Sequence, residues 1–147
     1  MFIDHRRTTM RRILTVITLL GLSLFGLMLP SPASAASTLT ADVTSATVVA
    51  RGSAVDINAT VECPAGMSGY LYLYITQRSG SGVAQGSGWT SIACTGAPQT
   101  VTVRALAQAG GQFFRPGEAL ITGDLSVCNE FECQYTQINE TVRVTQN

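Results

Sequence analysis

Two hydrophobic patterns divide this chain. From Ile13 to Leu29 the sequence is continuously apolar, broken only by Thr15, Thr18, Gly21, Ser23 and Gly26. Arg6, Arg7, Arg11 and Arg12 precede the run, and Pro30 to Ala36 follows it with the small-x-small triplet Ala33-Ser34-Ala35. Basic, apolar and small-residue regions in that order predict an export signal over residues 1–35, cleaved so that the working protein starts at Ala36. The apolar run approaches membrane-span length, but no basic stop-transfer flank follows it, so no membrane span is expected after cleavage.

Beyond Ala36 the pattern changes from a run to an alternation. Val55, Ile57, Ala59, Val61 and Cys63 share one face of Ala54 to Cys63, while Asp56, Asn58, Thr60 and Glu62 share the other. Period two with polar alternates marks a strand that covers a core on one side. Tyr70 to Gln77 repeats the pattern, with Leu71, Leu73 and Ile75 inward and Tyr70, Tyr72 and Tyr74 outward. Ser79-Gly80-Ser81-Gly82 then predicts a hairpin to Val83 to Ser91. Further strands are read at Gln99 to Ala107, Ala119 to Cys128 and Gln134 to Val144, with one or two short ones at Leu39 to Val43 and Thr47 to Ala50.

About seven or eight short strands near ten residues apart, with Gly and Pro turns and no helical period, predict an all-β chain. The favoured architecture is an antiparallel immunoglobulin-like β-sandwich formed by residues 36–147 as a single domain. A small closed barrel is the second architecture this pattern permits.

Composition narrows the chemistry. Residues 36–147 carry five arginines, eight carboxylates and no lysine, a net charge of minus three. Such a surface is a poor match for nucleic acid, which is bound through clustered Lys and Arg. The single histidine, His5, lies in the signal, so Ser-His and Cys-His nucleophile pairs and His metal ligands are missing from the exported part. No catalytic residues, no metal and no cofactor are expected.

All four cysteines, Cys63, Cys94, Cys128 and Cys133, fall in the exported part. An even number in an oxidising compartment predicts two disulfides. Of the three pairings, a local Cys128–Cys133 staple with Cys63–Cys94 is favoured. Zinc binding by four thiolates is the alternative, but the spacing lacks paired C-x-x-C knuckles.

The candidate binding residues are aromatic. Tyr70, Tyr72 and Tyr74 form a row that suits sugar stacking or a protein partner, because tyrosine offers area and a hydroxyl at low entropy cost. The same row also suits simple cross-strand packing. Trp89, in a glycine-rich hairpin, and Phe113 and Phe114, beside a Pro-Gly turn, complete the set, with at least one Phe ring expected to plug the domain. Asp124, Asn129, Glu130 and Glu132 gather oxygens near the Cys128–Cys133 loop without the spacing of a calcium loop. Asn58-Ala59-Thr60 and Asn139-Glu140-Thr141 match the N-glycosylation pattern inside expected strands.

Val61-Glu62-Cys63-Pro64, Ile75-Thr76-Gln77-Arg78, Cys94-Thr95-Gly96, Phe114-Arg115-Pro116-Gly117 and the Cys128/Cys133 pair give the chain a resemblance to small secreted actinobacterial proteins with one disulfide-bonded, immunoglobulin-like domain of unknown function. That resemblance implies fold and export and transfers no active site. The Cys-x4-Cys loop is also similar to that of neocarzinostatin-type apoproteins, which implies a chromophore-type carrier, although their second disulfide closes a shorter loop than Cys63–Cys94. Streptomyces subtilisin inhibitors are a third comparison, implying a secreted protease inhibitor. The reading taken forward is a secreted, extracellular (in a Gram-negative host, periplasmic), non-catalytic module that binds a glycan or protein partner, with the small-ligand carrier as alternative.

Overall fold

Where the alternation is regular, it becomes strand. The computed structural model describes residues 38–146; the expected signal, with its arginines, apolar run and Ala33-Ser34-Ala35 triplet, lies outside the described residues. Seven strands follow: β1 (Thr40–Val49), β2 (Ala54–Glu62), β3 (Ser68–Ser79), β4 (Gly82–Ala93), β5 (Gln99–Ala107), β6 (Gly117–Cys128) and β7 (Cys133–Gln146). A 3-10 turn at Ala50–Gly52 links β1 to β2. No helix among the described residues is long and apolar enough to cross a membrane.

Parity sets the core. Val55, Ile57, Ala59 and Val61 of β2, Leu71, Leu73 and Ile75 of β3, and Ile121, Leu125 and Val127 of β6 are all buried, as period-two burial requires. Of the one or two short strands expected at the start of the domain, there is one. Thr40 to Val43 and Thr47 to Val49 are joined in β1, whose register against β2 shifts between Val43 and Ser45, while Leu39 precedes the strand and Ala50 belongs to the 3-10 turn. Ala41 and Val43 pack on the core before the shift, and Ala46 and Val48 after it. One extra residue inverts the parity, which is the effect of a β-bulge. At the bulge, the Thr44 hydroxyl donates to the Asn58 carbonyl at 3.1 Å.

The strands pair in the order β1-β2-β5-β4-β3-β6-β7, and a parallel β1–β7 seam closes the ring into a barrel. The ladder thus forms the architecture placed second from sequence rather than two open sheets. Alternation and turn spacing are common to both; the difference lies in two short seams between residues far apart in the chain. One joins Ala46, Thr47 and Val48 to Val144, Thr145 and Gln146. The other joins Gly86 and Ser87 to Ala107 and Leu106. Glycine makes the second possible: a Cβ at Gly86 would meet the Leu106 carbonyl oxygen at 2.5 Å, and one at Gly88 the Arg104 carbonyl oxygen at 2.1 Å. Closure covers strand edges that would otherwise offer unpaired backbone groups.

Each end of the barrel is fastened differently. At one, disulfides join Cys63 to Cys94, 31 residues apart, and Cys128 to Cys133 across the β6–β7 hairpin. The favoured pairing is therefore the one formed, and the sulfurs are not available as zinc thiolates. At the other end Phe114 is buried as the expected plug. Inward-facing Gln77 holds its loop, donating from Nε2 to the Arg115 carbonyl at 2.7 Å and accepting from the Arg115 N–H at 2.9 Å. The Ser79 hydroxyl donates to the Phe113 carbonyl at 2.8 Å, so both buried polar side chains are satisfied.

Candidate functional site

Burial of Leu71, Leu73 and Ile75 turns Tyr70, Tyr72 and Tyr74 to the outside of β3, and the neighbouring strands fill in around them. Tyr72 lies opposite Trp89 of β4 on one side and Asp124 of β6 on the other; Tyr70 lies between Ser91 and Ser126, and Tyr74 between Ser87 and Thr122. Tyr70 is 59% exposed, Tyr74 49% and Trp89 61%, while Tyr72 is half-buried between them. Tyr70 and Trp89 meet edge to face with centroids 5.5 Å apart and planes at 74°. Tyr72 and Tyr74 are 4.8 Å apart and tilted by 50°. With Asp124 and Ser126 these four rings line an open depression of about 640 Å³.

The electrostatics of this face are simple. The Tyr74 phenol is held above its usual ionisation range, chiefly by its interaction with the Tyr72 hydroxyl and in smaller part by burial and the Asp124 charge. The phenol therefore stays neutral, able to donate and to accept a hydrogen bond, at any ordinary pH. Asp124 supplies the negative charge, and the only salt bridge among the described residues lies elsewhere, between Arg104 and Asp56.

That salt bridge belongs to the opposite outer face, on β1, β2 and β5, which is largely polar, with Leu106 exposed at its β5 edge. Arg104 donates two hydrogen bonds to Asp56, at 2.7 and 2.8 Å, and this pairing lowers the Asp56 carboxyl below its usual range. Thr102 donates to Asn58 Oδ1 at 2.6 Å, and Asn58 Nδ2 donates to the Ser45 hydroxyl at 3.0 Å. Asn58, one of the two glycosylation-pattern residues, is thus tied into a side-chain network. This second face is polar and internally paired, as a solvated sheet surface needs to be. The aromatic one is not.

The remaining predicted residues fall apart from the depression. Phe113 is exposed and Phe114 buried; both belong to the loop between β5 and β6, so the Phe114 ring serves the core rather than a binding surface. The acidic group is split as well. Asp124 joins the tyrosines, whereas Glu130 and Glu132 stay in the hairpin turn, where Asn129 Oδ1 accepts from the Phe131 and Glu132 N–H groups at 2.8 and 2.9 Å. Among the described residues no three Cys, His, Asp or Glu side chains gather as a metal set.

One aromatic residue escaped the sequence reading. Tyr135 is 78% exposed and lies opposite Ser126, which itself lies opposite Tyr70, so it extends the same face onto β7. Its odd parity against buried Ile138 was a usable signal. Its alignment with Tyr70 depends on the β3–β6–β7 order, which local pattern does not carry. In comparisons with protein families, characterised proteins and solved structures, the chain matches none.

Proposed function

We propose that this is an exported, non-catalytic binding module whose outer β4-β3-β6-β7 face engages a glycan of the cell envelope. One observation carries the reading: Tyr70, Tyr72, Tyr74 and Trp89 cluster on one face in contact with solvent, while the other face of the same barrel is polar. Solvated sheets do not need exposed tyrosine and tryptophan to fold; the β1-β2-β5 face carries no exposed aromatic ring and is mostly Thr, Asn, Asp and Arg, with Leu106 at its edge. Aromatic planes bordered by the hydroxyls of Ser87, Ser91, Thr122 and Ser126 suit sugars, whose C–H faces stack on rings while their hydroxyls hydrogen-bond around them. Export is supported by the signal pattern of residues 1–35 and by two disulfides, which are compatible with an oxidising compartment.

The finer fold reading belongs here too. The long ladders β1-β2-β5 and β4-β3-β6-β7 support reading the barrel as an immunoglobulin-like sandwich whose edges the two short seams join. A carrier that encloses its ligand is less well supported, because Phe114 is committed to the core and the depression beside Trp89 is open. The test is an array of glycans and cell-wall fragments probed with the mature protein and with Tyr72→Ala/Tyr74→Ala. Binding that disappears in the folded double variant supports the module and its site; equal binding by both proteins removes the site from this face.

A further inference from the structure

The proposed face does more than offer rings, and its one charge narrows the ligand. Building on the glycan reading, we infer that the depression is selective for a protonated amino sugar, with Asp124 receiving the ammonium and the aromatic rings receiving the pyranose. Asp124 is exposed, lies directly across from Tyr72, and lines the same depression as Tyr70, Tyr74 and Trp89.

Asp124 has no cation of its own. Among the described residues the single salt bridge is Arg104–Asp56, on the other face. The arginines that share the outer face stand far along it. Arg78 is six residues from Tyr72 on β3, and Arg143 pairs in register with Glu118, six residues from Asp124 on β6. Strand rise places each about 20 Å away, beyond about two Debye lengths in physiological salt. Glu130 and Glu132 of the hairpin turn stand at a similar remove along the face, so Asp124 is the one charged side chain that lines the depression.

Ring geometry points the same way. Tyr70 and Trp89 stand nearly perpendicular, at 74°, and Tyr72 and Tyr74 are inclined by 50°. A flat platform for a crystalline polysaccharide surface needs coplanar rings. Inclined rings instead make the walls of a shallow cup, and a ring face left open to it attracts a cation placed over that face. A carboxylate within such a cup favours an ammonium over the neutral acetamide that occupies the same position in an N-acetylated sugar.

Trp89 is the only tryptophan in the chain, so its fluorescence reads this cup directly. The experiment titrates the mature protein with a glucosamine tetramer and with the N-acetylglucosamine tetramer, which share a backbone and differ in charge, and repeats both with Asp124→Asn. The inference predicts about five- to tenfold tighter binding of the deacetylated oligomer, the gain available from a partly exposed charge pair plus a cation–π contact. It predicts that Asp124→Asn removes this preference, so that the variant binds the two oligomers alike. Equal binding of the two oligomers overturns the amino-sugar selectivity and leaves the glycan face standing. Binding of neither oligomer also overturns it, and the array with Tyr72→Ala/Tyr74→Ala then decides whether the face binds other glycans.

Discussion

Single side chains divide here into those that hold the barrel and those the barrel merely displays, and neighbours on β3 illustrate both. Leu73 is fully buried, and Tyr72 and Tyr74 beside it point outward. Leu73→Ala removes packed methyl groups from a core that cannot fully collapse, so a loss of about 2–5 kcal/mol is expected in urea unfolding. Tyr72→Ala/Tyr74→Ala removes no core volume, and its thermal transition is expected to stay close to the wild type. A large loss in the double variant would make the tyrosine row a structural device. This division was readable in the alternation of Tyr70 to Gln77. Trp89 was less so, because Gly86, Ser87 and Gly88 hide the parity of β4; its exposure emerges only from its pairing with Tyr72.

At the scale of elements, the disulfides act on stretches of very different length. Cys63–Cys94 closes a loop across 31 residues and Cys128–Cys133 across 5. Loop-closure entropy then stabilises by about 3.7 kcal/mol for the first and about 2.2 kcal/mol for the second. Replacing Cys63 and Cys94 by alanine is therefore expected to lower the denaturation midpoint more than replacing Cys128 and Cys133. The reverse order would mean that the hairpin staple carries strain-free contacts the chain-entropy argument omits. Strand positions from β2 to β7 were legible because each keeps its parity, except β4, which was read from the glycine-serine turn that precedes it. Whether β1 was one strand or two stayed open, because the bulge at Thr44 flips its inward set from odd to even positions, and local periodicity cannot tell a bulge from a break. Barrel closure was legible only as the second of two architectures, because it depends on glycines at 86 and 88 admitting the backbone of β5, and on the first and last strands meeting.

For the molecule as a whole, the two outer faces differ in chemistry and respond differently to conditions. The β1-β2-β5 face is ion-paired. Because Arg104 lowers the Asp56 carboxyl below its usual range, that contribution is complete above the unfolded carboxylate's pKa and is lost as pH falls through the lower folded-state value. The difference in urea midpoint between the wild type and Asp56→Asn is thus expected to shrink as pH drops below about 4. A gap that stays constant down to strongly acidic pH would contradict the assigned cause. The aromatic face has no such ion pair to lose, and it is the face proposed to bind. Amide chemical-shift mapping of the mature protein with soluble cell-wall polysaccharide tests that claim most directly. The account predicts shifts concentrated at Tyr70, Tyr72, Tyr74, Trp89, Asp124 and Ser126, reaching Tyr135, with the Asp56–Arg104 face silent. Shifts confined to the Asp56–Arg104 face or to the Phe113 loop, with the aromatic positions unmoved, would contradict it.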